Sequence, residues 1–518
     1  MLAKVKTCAV TGIEGRLVEV EVQVRTAGVP RFTIIGLGDS AVRESRDRVL
    51  SAIRHSGFFP PEQILVNLAP AEIRKEGSSF DLPIALGILA ASGQVAKHRL
   101  LEMTFHGELS LDGRIKPVQG MLSLAVESAA HGVKEVVVPY ENRDETSLVS
   151  DLRVTAAASL VEVVGYLNRG VRPLQPPPTT QMILSGNGNG SISEVWGQES
   201  AKRAMVIAAA GGHNLLMIGP PGCGKSMLAA RFTSLLPPLN NAELLEAVKI
   251  HSIAGLPVAE LLGGRRPFRS PHHVVSDVGL IGGGPGPKPG EISMAHHGVL
   301  FLDEFPEFRR SALESLRAPL ETGQVRVTRA KASVVFPARF QLVAAMNPCP
   351  CGRLGGAVMS GQKACLCSRG AIAAYLRKLS QPILDRIDMH VELEAVPFAV
   401  MVNQTADKTG EKELALREAV CAARERQFTR QGGLNCLLGS KELFEHFQVP
   451  SGTLRLLEEA AGRHRLSARS YVRVLRMAAT IADLDQSGAI TREHIAEALG
   501  FRGLERLQRY AEESTPTF

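Results

Sequence analysis

The chain has no run of 18 or more apolar residues, so the sequence predicts no transmembrane helix. The first ten residues, MLAKVKTCAV, also lack the apolar core of a secretory signal. An excess of charge of one sign is nearly absent, because 59 Lys and Arg face 52 Asp and Glu, for a net charge of +7. This mild excess permits nucleic-acid binding without demonstrating it. We therefore expect a cytoplasmic protein with no membrane partner.

The composition, 45% hydrophobic and 21% charged, is typical of a folded globular protein. The length of 518 residues predicts two to four domains. Residues 172–190 contain PLQPPPTT and SGNGNG, a composition that fits no packed element. We place the domain boundary there. The predicted blocks are 1–170, a linker at 171–192, a central block at 193–400 and a C-terminal block at 401–518.

The hydrophobic pattern differs among these blocks. In the first block, the pattern predicts strands at 17–24 and 133–139. It predicts helices at 40–55 and 81–91. The central block alternates strand and helix, with strands at 214–218, 299–302 and 340–345 and a helix at 227–236, which favours a parallel sheet covered by helices. The C-terminal block is helical, and Ser467 and Thr491 are candidate caps, the first for a helix over 468–484.

A glycine-rich loop follows the strand at 214–218. It satisfies the pattern G-x-x-x-x-G-K-[ST] with Gly219, Pro220, Pro221, Gly222, Cys223, Gly224, Lys225 and Ser226. The backbone amides of such a loop turn towards phosphate oxygens, and the next helix adds the positive end of its dipole. Lys225 supplies charge to the β and γ phosphates, and Ser226 is a Mg²⁺ ligand. The loop therefore predicts a site for ATP and Mg²⁺.

Polar residues follow two further strands of the central block. Asp303 and Glu304 come directly after the strand at 299–302, at an edge where ligands bind in open α/β sheets. Asp303 can hold Mg²⁺, and Glu304 can orient the attacking water. Asn347 follows the next strand and can contact that water or the γ phosphate. Arg386 and Arg469 are candidates to reach the γ phosphate from outside the loop.

These segments together resemble a known family. The series GPPGCGKS, VLFLDE, AAMNPCPCG, ILDRID and LSARSYVRVLRMA is similar to AAA+ ATPases of the magnesium-chelatase type, and more narrowly to the ComM/YifB family. The match extends into the first block through IIGLGDSAVRESRDRVLSAIRHSGF and NLAPAEIRKEGSSFDLPIALGILAASG. It implies an AAA+ P-loop motor with a helical lid.

The same resemblance implies roles for single residues. Asn347 matches the first sensor of these motors, and Arg469 matches the second, on the lid. Arg386 is the candidate for the arginine that acts on a neighbouring subunit's nucleotide, and Arg329 competes for that role. The family works as hexameric rings, in which ATP lies between subunits.

The first block resembles the α+β proteolytic domain of Lon-type proteases, which pair a serine nucleophile with a lysine base. The segment KEGSSFD places Ser79 at the serine position, and RIKPVQGML places Leu122 at the lysine position. A serine without a base is a weak nucleophile at neutral pH. We therefore expect a non-proteolytic domain, although Lys116 is close enough in sequence to allow a shifted alignment.

Four of the eight cysteines fall within nineteen residues, as Cys349, Cys351, Cys365 and Cys367. In a chain with no export signal, such a cluster favours metal over disulfides. Four thiolates complete a tetrahedral Zn²⁺ site, although C-x-C is tighter than the usual spacing. Four free cysteines on a loop are the alternative.

Two segments resemble insertions that could touch DNA. Residues 279–290 are rich in glycine and proline and carry Lys288, and residues 325–335 alternate as a hairpin does and carry Arg326, Arg329 and Lys331. Flexible basic loops meet backbone phosphates without reading sequence. Few aromatics lie near them, so base stacking is not indicated. Histidines occur in pairs at 272–273 and 296–297. Since their spacing shows no carboxylate partner, structural or polar roles are favoured over metal binding.

Three functions remain open. The resemblance to the ComM/YifB family implies an ATP-driven hexameric DNA motor that acts on single-stranded and branched DNA, promoting branch migration in recombination and natural transformation. The alternative is the motor subunit of a metal chelatase, acting on a partner protein. A protease is the third, and Leu122 disfavours it.

Overall fold

The computed structural model describes the chain except for residues 27, 74, 76, 176–189, 285, 330–331, 355–363, 396–408, 465–466 and 513–518. The chain forms two compact units. The first unit comprises Met1–Ser185, Asn240–Gly264 and Pro287–Pro289, and the second comprises Gly186–Leu239, Arg265–Gly286 and Gly290–Phe518. Most of the predicted linker, residues 176–189, lies outside the described residues.

The first unit is built on a mixed seven-stranded sheet. Its strands, in spatial order, are Arg31–Ile35, Gln63–Ala69, Glu14–Arg25, Leu2–Thr11, Met103–Phe105, Glu135–Pro139 and Arg153–Ala157. The strand Glu14–Arg25 pairs antiparallel with both of its neighbours, and the other pairs are parallel. Valines at every second position of Glu14–Arg25 are buried while the residues between them face outwards, as the alternating sequence predicted.

Helices complete the first unit. They are Ser40–His55, Asp81–Ala91, Met121–Ala130, Arg143–Thr146, Leu160–Arg169, Asn241–Ala254 and Ala259–Leu262. The helix Asp81–Ala91 is buried along its whole length. A Cβ at Gly87 would lie 2.5 Å from the Val22 side chain, so glycine allows this helix to close against the sheet.

The helix Asn241–Ala254 comes from the middle of the chain and belongs to the first unit. Asn240 and Glu243 form a capping box at its start. It packs against Met121–Ala130, and the Ser252 hydroxyl accepts a hydrogen bond of 3.0 Å from the Gly120 amide. A segment between two strands of the second unit's sheet is therefore part of the first unit's core.

The second unit contains the predicted parallel sheet. Its five strands, in spatial order, are Phe268–Arg269, Val299–Leu302, Gln341–Met346, Leu215–Ile218 and Met389–Glu392, and all are parallel. The three strands from Val299–Leu302 to Leu215–Ile218 are fully buried, as expected where helices cover both faces. Polar residues that follow these strands share one edge, which positions the site described below.

Helices and one hairpin complete the second unit. The helices of eight or more residues are Glu199–Gly211, Arg369–Leu376, Thr409–Gln431, Ser451–His464, Ala468–Leu484, Arg492–Gly500 and Gly503–Glu512. Ser467 and Thr491 cap two of them, as predicted. The helix predicted at 227–236 begins two residues earlier, as Lys225–Arg231, because Gly224 takes a left-handed φ of 94° and ends the loop there. The helix continues as the 3₁₀ turn Phe232–Leu235. The strands Gln324–Arg329 and Ala332–Pro337 pair as an antiparallel hairpin.

Among the described residues, no helix combines the length and the apolar character that crossing a membrane requires.

Candidate nucleotide site

The glycine-rich loop lies between the buried strand Leu215–Ile218 and the helix Lys225–Arg231. Gly222 and Gly224 have φ angles of 78° and 94°, which side chains other than glycine rarely tolerate. The Lys225 ammonium donates to the carbonyls of Gly219, at 2.7 Å, and Pro220, at 2.9 Å. Burial lowers the pKa of Lys225, and the carbonyls around the ammonium group hold its charge inside the loop.

The two predicted magnesium ligands are in direct contact. The Ser226 hydroxyl donates to the Asp303 carboxylate over 2.6 Å. They come from different elements, since Ser226 is on the first turn after the loop and Asp303 follows the strand Val299–Leu302. A hydroxyl and a carboxylate are hard oxygen donors of the kind Mg²⁺ takes beside phosphate oxygens, so the pair fits that ion.

Asn347 lies between these two elements. It follows the strand Gln341–Met346, which separates Leu215–Ile218 from Val299–Leu302 in the sheet. Its side-chain oxygen accepts a hydrogen bond of 3.2 Å from the Lys225 ammonium. The buried Tyr375 lies next to the backbone of Asn347. Burial raises the pKa of Tyr375, and so does the nearby Glu307 carboxylate. Lys225 and Asn347 therefore share one polar cluster.

Glu304 adopts an unusual backbone conformation. Its φ of 51° places it in the left-handed region, and its amide donates to the Asp303 carboxylate over 2.9 Å. Non-glycine residues in this region concentrate at functional sites because the conformation is strained. The Glu304 side chain is 57% exposed, and its Oε2 lies 3.0 Å from Nδ1 of His273. The carboxylate is therefore open to solvent and fixed at one oxygen.

The candidate arginines occupy different environments. The Arg386 guanidinium is mostly buried and bonds to the Glu321 carboxylate and the Pro382 carbonyl. Arg469 is exposed in the first turn of Ala468–Leu484. In this structure, Arg386 is bonded within its own chain, and Arg469 is open to solvent.

The four clustered cysteines converge in space. Cys349, Cys351 and Cys365 have sulfur–sulfur distances of 3.4, 3.6 and 3.7 Å, and all four sulfurs lie within 4.8 Å of one another. A tetrahedron with Zn–S bonds of about 2.3 Å has edges of about 3.8 Å, so the spacing fits zinc. The nearby Gly352 packs against Pro221 of the phosphate loop, since a Cβ there would lie 2.7 Å from the Pro221 ring.

The structure describes three of the four residues predicted to contact DNA. Lys288 is exposed, and its ammonium lies 3.3 Å from the Gln119 side-chain oxygen within the first unit. Arg326 is exposed on the hairpin, between the buried Val325 and Val327. Arg329 ends the first hairpin strand, and Lys331 lies outside the described residues.

The serine segment of the first unit has a different chemistry. Ser79 is half-buried, and Leu122 is fully buried. The Ser78 hydroxyl donates to the Glu108 carboxylate, whose other oxygen lies 4.0 Å from the Lys116 ammonium. Lys116 therefore has a carboxylate as its partner.

Sequence reasoning missed two residues of this cluster, His273 and Tyr375. The histidine pair was noticed, but its carboxylate partner Glu304 was not found from spacing. The partner lies 31 residues further along, on a loop that follows the neighbouring parallel strand. Tyr375 carried no signal in the sequence, because its position near Asn347 depends on how the helix Arg369–Leu376 packs.

Comparison with known proteins covers nearly the whole chain. Residues 191–401 match the family described as "Magnesium chelatase, subunit ChlI", residues 18–142 match "Subunit ChlI of Mg-chelatase" and residues 410–502 match "Magnesium chelatase, subunit ChlI C-terminal". The chain is 43% identical over 507 residues to the uncharacterized protein YifB of Escherichia coli (strain K12), and 43% identical over 513 residues to the competence protein ComM of Haemophilus influenzae. Each alignment covers 98% of both chains. Lon protease 2 of Bacillus subtilis is 27% identical over 183 residues, 32% of each chain.

Proposed function

Because the chain belongs to the ComM/YifB family of magnesium-chelatase-like AAA+ proteins, a family that implies ATPase activity, we propose that it is a cytoplasmic, ATP-driven DNA motor. The motor binds single-stranded and branched DNA and promotes branch migration during homologous recombination or natural transformation. The name of the relative ComM, a competence protein, supports this assignment. The observation that carries the catalytic part is the convergence of Lys225, Ser226, Asp303 and Asn347 at one sheet edge.

Each side chain at this edge has a defined task in hydrolysis. When ATP binds, the Lys225 ammonium exchanges its hydrogen bonds to the loop carbonyls for contacts with the phosphates, whose charge it neutralises. Asn347, which is bonded to Lys225 in this structure, then faces the γ phosphate. Ser226 and Asp303 hold Mg²⁺, which supplies further positive charge to the β and γ phosphates. Glu304, the exposed carboxylate beside them, orients the attacking water and accepts its proton.

The ring is part of the proposal. A hexamer places a neighbour's arginine against the γ phosphate, where it stabilises charge in the transition state. Arg386 takes this role after leaving Glu321, and Arg329 is the competitor. Arg469, exposed at the start of its helix, acts as the second sensor on a helical lid.

DNA contacts come from basic residues of the segments 279–290 and 325–335. We assign them to Lys288, Arg326, Arg329 and Lys331. The exposure of Arg326 between two buried valines supports this, because the hairpin then presents its charge outwards from an apolar base. Contacts of this kind bind phosphates irrespective of sequence, so affinity falls steeply with salt.

The domain organisation is also proposed. Residues 1–170 form a Lon-protease-like domain without proteolytic activity, 171–192 a linker, 193–400 the AAA+ domain and 401–518 the helical lid domain. Within 193–400, the segments Asn240–Gly264 and Pro287–Pro289 pack with the first unit. The partial match to Lon protease 2 supports the first assignment. Leu122 at the lysine position, and the engagement of Lys116 with Glu108, support the loss of proteolysis.

The four cysteines hold zinc in this proposal. The metal would be held by all four sulfurs, next to Gly352, which packs against Pro221 of the phosphate loop. Elemental analysis of protein purified without chelator is expected to find one zinc per chain. The double variant Cys351→Ser, Cys365→Ser loses it, and the control Cys421→Ser, outside the cluster, keeps it. A wild-type chain free of zinc contradicts the assignment.

A strand-exchange assay on a synthetic three-strand junction tests the motor. The wild type is expected to resolve the junction with ATP, and Lys225→Ala and Glu304→Gln are expected to fail. Lys441→Ala is the matched control, because that lysine is 89% exposed. A wild type that hydrolyses ATP and leaves the junction unresolved acts on something else, and stimulation by a partner protein then favours the chelatase-type motor.

A further inference from the structure

His273 contacts the carboxylate assigned to activate water. Its Nδ1 lies 3.0 Å from Oε2 of Glu304, which is within hydrogen-bonding distance. The histidine lies beyond the strand Phe268–Arg269, and Glu304 lies just beyond Val299–Leu302. These strands are parallel neighbours in register, so the segments that follow them emerge at the same edge.

The imidazole ring is itself held in place. The ring of His272 packs beside it at a centroid distance of 4.1 Å, and Phe308 meets it edge-on at 6.4 Å. Its side chain is 29% exposed, about half the 57% of Glu304. A restrained ring therefore contacts a carboxylate that is otherwise free to rotate in solvent.

We propose that His273 is a positioning residue for ATP hydrolysis, which donates its Nδ1 proton to Oε2 of Glu304 and leaves Oε1 directed at the attacking water. This inference rests on the ATP-hydrolysing part of the proposed function. A glutamate side chain has three rotatable bonds, and a mobile base spends little time in the productive orientation. Anchoring one oxygen of the carboxylate orients the other.

Steady-state ATP hydrolysis without DNA tests this with two conservative variants. In His273→Asn the amide nitrogen replaces Nδ1, whereas in His273→Gln it is displaced towards the position of Nε2. We expect kcat to fall about tenfold to hundredfold in His273→Ala and His273→Gln and to recover to within about threefold of wild type in His273→Asn. The loss is expected to be smaller than the roughly hundredfold to ten-thousandfold contribution of an acid or base itself, because His273 acts through Glu304. The KM for ATP is expected to stay within about twofold, since His273 contacts Glu304 rather than the loop.

A double-mutant cycle separates positioning from a structural role. In the Glu304→Gln background, His273→Ala is expected to lower kcat by less than about twofold, because the group it orients has gone. His272→Ala measures the stacking contribution alone and is expected to cost less than about threefold. The thermal midpoint and the binding of a fluorescent ATP analogue check folding and nucleotide affinity.

Three results would overturn the inference. They are wild-type kcat in His273→Ala, a loss of the same size in the Glu304→Gln background, and a loss confined to nucleotide affinity. The motor proposal fails separately, when wild-type protein with normal ATPase leaves the DNA junction unresolved. Hydrolysis without DNA therefore tests His273 whichever way the junction assay turns out.

Discussion

The two units contain similar residue types and use them differently. In the second unit Lys225 is bonded to Asn347, and Ser226 is bonded to Asp303, at the edge of a parallel sheet. In the first unit the polar residues near Ser79 are bonded to partners that stabilise the fold. Asp81, for example, is fully buried and accepts hydrogen bonds from Arg48, Ser45 and the Leu109 amide.

The difference shows that reactive residue types do not by themselves make a site. Parallel strands deliver the residues that follow them to one edge, so side chains distant in sequence meet there. In the mixed sheet of the first unit, neighbouring strands end at opposite edges wherever they pair antiparallel. Next to Ser79, the Ser78 hydroxyl is bonded to the Glu108 carboxylate.

The largest expected effect separates the two sites. Lys225→Ala is expected to lower the ATPase kcat at least about hundredfold, because the transition state loses its principal positive charge on the loop. Ser79→Ala is expected to leave kcat within about twofold, and neither protein is expected to hydrolyse peptides. Coupled-enzyme ATPase and fluorogenic peptide assays measure both. Peptide hydrolysis that disappears in Ser79→Ala would end the contrast.

The second prediction concerns one matched ion pair in each unit. Asp81 with Arg48, and Asp483 with Arg430, are each separated by 2.7 Å, and both arginines are 23% exposed. Removing one partner of a buried pair leaves an unpaired charge, so Asp81→Ala and Asp483→Ala are each expected to cost about 3 kcal/mol in the free energy of unfolding.

Chemical denaturation, with a probe in each unit, measures these losses. The exposed pair Arg114–Asp112 has the same 2.7 Å separation, and Asp112→Ala is the control, expected to cost less than about 1 kcal/mol. A loss of that small size for either buried aspartate would mean that its arginine finds a new partner.

The third prediction is acid sensitivity in both units. Burial lowers the pKa of His106 to about 3, and burial, with the charges of Arg502 and Arg473, lowers the pKa of His390 to about 3. Each is neutral in the folded chain, whereas the unfolded chain protonates its histidines near pH 6.5. Stability is therefore complete above pH 6.5 and is lost as the pH falls towards 3, by about 2 kcal/mol per histidine at pH 5.

Unfolding free energies at pH 7 and pH 5 check this. His106→Gln is expected to remove the acid-induced loss in the first unit only, and His390→Gln in the second only. An unchanged pH dependence in both variants would show that other groups cause the acid sensitivity.

The smallest expected effect compares two helix caps. The Ser159 hydroxyl accepts from the Glu162 amide at 3.3 Å in the first unit, and Ser467 accepts from the Ser470 amide at 3.2 Å in the second. Alanine at either position is expected to cost about 1 kcal/mol, and glycine at Ser159 only a few tenths. Thermal midpoints measure the losses. A cost near zero at Ser467 with a normal cost at Ser159 would show that the start of Ala468–Leu484 is stabilised by other contacts.

The sequence predicted local features well. The helices Ser40–His55, Asp81–Ala91 and Ala468–Leu484 begin and end where the sequence predicted them, because the preference for a helix depends on neighbouring residues. The phosphate loop and the strand before Asp303 were also predicted correctly from the sequence. The helix after the loop was not, since its start depends on the backbone angle at Gly224.

Contacts between distant segments could not be predicted from periodicity. The helix Asn241–Ala254 packs on the first unit, and nothing in its own pattern shows which unit it joins. His273 was noticed without its partner Glu304. In both cases the deciding contact depends on which surfaces are neighbours in the fold.

The sequence alone determined the family, the parallel α/β character of the second unit and the residue types available for ATP hydrolysis. These follow from short motifs and from hydrophobic periodicity, whose physical basis is local. Only the tertiary structure decided that Ser226 meets Asp303, that Lys225 meets Asn347 and that His273 restrains Glu304. These contacts depend on the order of the strands in the sheet. That order is determined by the packing of the whole sheet rather than by any segment within it.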